Sequence, residues 1–200
     1  MTNIDAKMVK KMRVETGAPM MDCKRALEEA DGDWDKATDI LRKKGMQSAE
    51  KRSSRETAEG RVFSYIHAGD KIGVLVEIDC ETDFVARNDA FLQFGHDLCL
   101  HIAFTRPAHL SREEVPATEV EKERSFLLEQ VREQMAGKPD EIQEKAVDGR
   151  MSQFFEARCL LEQKFVKENS KSIEDYRKQM VAKIGENLVI ARFAVFAVGE

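Results

Sequence analysis

Apolar residues recur at helical spacing through the first part of the chain. Ile4, Met8, Val9 and Met12 form one stripe, Cys23, Ala26, Leu27 and Ala30 a second, and Ala37, Ile40 and Leu41 a third. This spacing predicts three short helices. Asp5 is placed to cap the first and Thr16-Gly17 to stop it. Pro19 suits the opening of the second. Asp31-Gly32-Asp33 makes the next turn, and Asp33 caps a third helix that ends at Lys44-Gly45. A three-helix module over residues 1–46 follows. A unit of that size is marginal alone and suits a docking role. Residues 47–60 are almost devoid of apolar side chains and rich in charge, which predicts a linker.

From Arg61 the period changes to two. Val62 to Ile66 reads as a strand and His67-Ala68-Gly69-Asp70 as a turn. Ile72, Val74, Val76, Ile78 and Cys80 then alternate with Gly73, Leu75, Glu77 and Asp79. This predicts an antiparallel hairpin with one buried face. A helix from about Asn88 to Thr105 turns Phe91, Phe94, Leu98 and Ile102 inward, and Pro107 and Pro116 bracket a loop. Glu119 to Ala136 carries Val120, Leu127, Leu128, Val131 and Met135. Asp140 to Arg158 carries Ile142, Ala146, Met151 and Phe155. Gly137-Lys138-Pro139 joins the two, so residues 119–158 form a helical hairpin whose charged faces suit projection into solvent. Ser172-Ile173-Glu174-Asp175 opens a last helix that Gly185 ends. Leu188 to Val198 is nearly continuously apolar, as expected of a central strand covered on both faces. The expected class is α+β, with residues 61–200 as one core domain.

The 200 residues are 42% hydrophobic, enough for a sizeable core, and the net charge of -5 disfavours direct nucleic-acid binding. No apolar run is long enough to span a membrane. Lys7, Lys10 and Lys11 lie near the start without an apolar segment behind them, so no secretory signal is read and a cytoplasmic location is expected. Cys23, Cys80, Cys99 and Cys159 lack paired spacing and read as free, buried thiols. The chain has no phosphate loop, dinucleotide fingerprint, nucleophile elbow or H-E-x-x-H motif, so neither a cofactor nor bond-making chemistry is expected. Asp79, Glu81 and Asp83 cluster, but without EF-hand spacing or a histidine ligand they imply no metal site. His101 shares its helix with Phe94 and Leu98. It reads as a partly buried, hydrogen-bonded core histidine, with an interface role as the second reading.

Two places are left for function. At Asp79 to Asn88 a strand runs into a helix, and Phe84 sits between them, flanked by Asp83 and Arg87. A displayed aromatic there suits insertion into another protein's pocket. Spacing alone allows core burial equally well. At Met20-Met21, consecutive helical positions cannot face the same way, so at least one Met is exposed. With Arg13 and the Thr16-Gly17-Ala18-Pro19 turn it makes a soft docking surface; gap-filling in the core is the other reading.

Val9 to Leu27, with Thr16-Gly17-Ala18-Pro19-Met20-Met21-Asp22-Cys23 at its centre, closely resembles the opening of the bacterial translation elongation factor Ts family. Thr82-Asp83-Phe84-Val85-Ala86-Arg87 resembles that family's core signature. Lys138-Pro139, Val147-Asp148-Gly149-Arg150-Met151 and Ile184-Gly185-Glu186-Asn187 also look like family segments. The resemblance implies a guanine-nucleotide exchange factor that binds elongation factor Tu in its GDP-bound and nucleotide-free states. It implies a ubiquitin-associated-like module followed by an α+β core, with a hairpin similar to the coiled coil of longer members. One core subdomain, ending at Gly199-Glu200 without a further helical module, resembles the short form that pairs into a symmetric homodimer. Thr82, Asp83, Phe84 and Val85 would contact the GTPase and displace its Mg²⁺, while Arg13, Met20 and Met21 would dock the N-terminal module. The alternative is a non-exchange binding module with a peptide or ubiquitin-like partner at Met20-Met21 and Phe84 in the core.

Overall fold

The computed structural model of the chain describes residues 4–199; the expected domain limits at residues 1 and 200 lie outside them. The described residues divide into two compact units, one of residues 4–100 and 175–199 and one of His101–Glu174. In chain order the elements are α1 (Ala6–Thr16), α2 (Met20–Glu29), α3 (Trp34–Arg52), β1 (Glu59–Ile66), β2 (Ile72–Cys80), α4 (Asp83–Ala86), α5 (Asp89–Thr105), α6 (Ala117–Gln134), α7 (Asp140–Arg158), β3 (Lys164–Phe165), β4 (Glu168–Ser172), α8 (Ile173–Ile184) and β5 (Leu188–Ala197). Helices and antiparallel strands together make this a mixed α+β fold.

Asp5 caps α1 by accepting from the Lys7 N–H, and Asp33 caps α3 by accepting from that of Lys36. Gly17 closes α1 at φ 70°, where a side chain would be strained. Val9, Met12, Cys23, Ala26, Leu27, Ala30, Ala37 and Leu41 make one buried cluster beneath the three helices. The third helix does not stop at Lys44-Gly45 but runs on to Arg52. A glycine inside a helix costs only about 1 kcal/mol. Here it permits close approach, since a β-carbon at Gly45 would stand 3.3 Å from Cβ of Ala182 in α8.

The main sheet has the order β1-β2-β5, antiparallel throughout. Val74, Val76, Ile78 and Cys80 of β2 are buried on one face, with Phe63 of β1. α5 adds Phe91, Phe94 and Leu98, all fully buried. It approaches β1 at Gly95, where a β-carbon would lie 2.3 Å from the Phe63 ring. β2, not β5, is the central strand. β5 lies at the edge and buries only Leu188 and Ile190, while Phe196 is 69% exposed. Its continuous apolar run therefore does not mean cover on both faces. On the outer face Ile66 and Phe196 flank Gly73 in register, and Val62 and Leu75 are exposed beside them.

In the second unit α6 and α7 pack as the expected hairpin around Leu127, Val131, Val147 and Met151. α6 starts just after Pro116, two positions earlier than expected. Val147 takes the inward position and Ile142 is exposed. The β3–β4 pair was not expected, because β4 (Glu-Asn-Ser-Lys-Ser) contains no apolar residue. His101 is fully buried, deeper than the partial burial expected of it. Its Nε2 lies 2.9 Å from Gln163 Oε1, and its Nδ1 accepts from the Val166 N–H at 3.4 Å. This pairing selects the neutral tautomer with the proton on Nε2, and burial lowers the pKa of the ring.

Candidate partner-binding site

The segment after β2 makes a single helical turn, α4, before α5 begins. Thr82 is extended and caps α4, its hydroxyl accepting from the Val85 N–H at 3.4 Å. Asn88 ends the turn and starts α5: its N–H donates to Val85 O, and its Oδ1 accepts from the Ala90 N–H at 2.8 Å. Two polar caps six residues apart thus isolate a turn too short to lay every side chain on the core. Val85 and Ala86 point inward and are buried. Phe84 points outward and is 81% exposed. Asp83 and Arg87 pair across the exposed side at 3.0 Å. The spacing left Phe84 open between core and display; the position of the Val85-Ala86 pair decides it.

Beneath the turn, the Cys80 thiol donates to Thr82 O at 3.2 Å. Burial pushes its pKa to about 11, so it is a protonated packing group, not a nucleophile. The neighbouring carboxylates do not converge. Glu81 accepts from the Asn187 N–H at 2.6 Å and lies 3.4 Å from Arg55, Asp83 faces Arg87, and Asp79 has its carboxyl pKa raised by burial and then by Glu77. Among the described residues no group of three or more His, Cys, Asp or Glu could hold a metal ion.

Arg13 lies exposed in the last turn of α1. Met20 and Met21 open α2 and are both exposed, at 40% and 61%. Their consecutive positions guaranteed one exposed side chain; the structure exposes both. The structure also brings in residues that the spacing did not single out, Glu186 and Asn187, which bond the segment before α4 from more than a hundred residues away. Nothing local in the sequence links them to Thr82.

The fold and this site define a class: a mixed α+β protein that displays an exposed aromatic ring on a short, capped helical turn. Residues 35–200 match the family model of elongation factor TS. The chain is 49% identical to an elongation factor Ts of Thermosipho melanesiensis over 98% of this chain and 100% of that protein. It is 52% identical to the elongation factor Ts of Desulfosudis oleivorans over the full length of both. With that of Syntrophomonas wolfei it shares 50% identity over 98% of this chain and 91% of the relative. The chain belongs to the elongation factor Ts family, a family of translation elongation factors. No helix among the described residues is long and apolar enough to cross a membrane.

Proposed function

We propose that this chain is a guanine-nucleotide exchange factor for elongation factor Tu, acting without bond-making chemistry. Family membership supports the reaction, and the exposed Phe84 on its capped turn is the observation that supports the mechanism. An exchange factor must bind the nucleotide-free GTPase more tightly than the GDP-bound one. The coupling is reciprocal: if the factor weakens GDP, GDP weakens the factor by the same ratio. A side chain that fits both states equally shifts nothing. Phe84 is the wedge whose slot opens only when the phosphate region is disturbed. Asp83 engages the groups beside that slot; Val85, which the resemblance places at the contact, is buried and anchors the turn from below, and Thr82 gives its N–H and hydroxyl to Glu186. Moving the partner's Mg²⁺ removes the charge that screens its phosphates, and GDP leaves. Arg13, Met20 and Met21 dock the N-terminal module, taken as residues 1–46, on the same GTPase. Stopped-flow release of a fluorescent GDP tests this. Phe84→Ala should slow factor-stimulated release at least several-fold; an unchanged rate would remove the wedge role.

A second copy of the chain is the proposed partner for the outer face of the sheet. Val62, Ile66, Leu75 and Phe196 are exposed on one face, with the Glu77–Arg192 ion pair in the row of Val62. Contiguous apolar surface of this kind marks an interface, and an isologous pairing covers it on both copies at once.

A further inference from the structure

The turn that carries Phe84 is held by a residue far away in the chain. Glu186 Oε1 accepts from the Thr82 hydroxyl at 2.7 Å, and its Oε2 accepts from the Thr82 N–H at 3.0 Å. That same hydroxyl caps α4 by accepting from the Val85 N–H. A hydroxyl has a single proton to give. Giving it to Glu186 leaves the oxygen's lone pairs free for Val85, so carboxylate, hydroxyl and cap form one continuous chain of bonds. The hold is reciprocated: Glu81 Oε1 accepts from the Asn187 N–H at 2.6 Å. Two acidic side chains therefore cross in opposite directions between the end of β2 and the start of β5. Asn187, itself buried, donates its Nδ2 to the carbonyls of Ser53 at 3.3 Å and Arg55 at 2.9 Å, which ties the chain leaving α3 to the same junction.

We propose that Glu186 is a positioning residue for exchange: its two-point hold on Thr82 sets the direction in which α4 displays Phe84. This rests on the exchange reading above. A helix of one turn has no cooperativity to keep it formed, and an 81% exposed ring gains little orientation from packing. Its aim must come from the backbone beneath it. The carboxylate supplies that aim through charge-assisted bonds, which are shorter and stronger than neutral ones. Without them the ring samples directions that miss its slot, and each loss of preorganisation weakens the productive complex.

Glu186→Ala and Glu186→Gln, made in the full chain, test this with two measurements. In the free chain, hydrogen exchange of the backbone amides of residues 82–88 should quicken by roughly tenfold in Glu186→Ala. It should quicken less in Glu186→Gln, which keeps one acceptor oxygen. In stopped-flow GDP release from elongation factor Tu, the rate at saturating factor should fall several-fold in Glu186→Ala, with a smaller fall in Glu186→Gln. Added to Phe84→Ala, Glu186→Ala should cause no further loss, because it acts only through the ring. Unchanged amide protection, or an unchanged saturating rate, overturns the proposal. So does an equal further loss in the Phe84→Ala background, since Glu186 would then touch the GTPase itself. Should Glu186→Ala not fold, the near-isosteric Glu186→Gln decides by the same comparisons. A wild-type chain that fails to speed GDP release removes the exchange reading itself, whereas an active wild type with equally active Glu186 variants removes only the positioning role.

Discussion

Removing the Phe84 ring should cost the fold almost nothing. The side chain is 81% exposed and packs no core, and such surface changes usually stay within about 0.5 kcal/mol. Phe84→Ala should therefore melt within a few degrees of the wild type by circular dichroism while its exchange activity falls. A large loss of helix signal on mutation would assign the ring to the core instead. His101 behaves in the opposite way, buried and bonded on both nitrogens. Its pKa is lowered by desolvation, so the unfolded chain binds the proton more readily. The neutral ring's contribution is complete above the ordinary histidine value and is lost as pH falls through the depressed folded one. Urea melts between about pH 7 and pH 5 should show stability falling, and His101→Gln should flatten that fall. A variant with the same pH slope as the wild type would assign the acid sensitivity elsewhere.

Among the elements, those with strong period were legible and those set by contact were not. α1, α2 and α5 follow their apolar stripes because each has one face to bury. The end of α3 was not legible: a glycine reads as a stop locally, and only the approach of Ala182 shows why the helix continues past Gly45. β4 carries no hydrophobic signal and exists through its pairing with β3. The α6–α7 hairpin has its own small core, in which Met151 is nearly fully buried. Met151→Ala should lower stability by about 2 kcal/mol or more, through lost burial and the cavity left behind. Hydrogen exchange should show the loosening first within residues 117–158. Equal loosening of β1 and β2 would mean that the hairpin is not a cooperative unit of its own.

For the whole molecule, the apolar run of β5 was the most misleading feature of the sequence. It predicts a central strand, yet β5 is an edge strand whose inner face meets the core and whose outer face exposes Arg192 and Phe196. Both arrangements need the same residues, because apolar side chains on each face read alike whether the cover comes from this chain or another. Leu75→Glu, which puts a charge in the middle of that outer face, should turn the proposed dimer into a monomer in sedimentation velocity without changing the fold. A wild type that sediments as a monomer at micromolar concentration would remove the second copy from the proposal. By itself the sequence determined the three N-terminal helices, the hairpin of β1 and β2 and the inward face of α5. Each follows from periodicity and capping within a few residues. Only the tertiary structure decided that Phe84 stands outside, that β5 is an edge, and that Glu186 and Asn187 reach back to Thr82 and Glu81. Those outcomes depend on which surfaces meet across a hundred residues, and local spacing carries no record of such meetings.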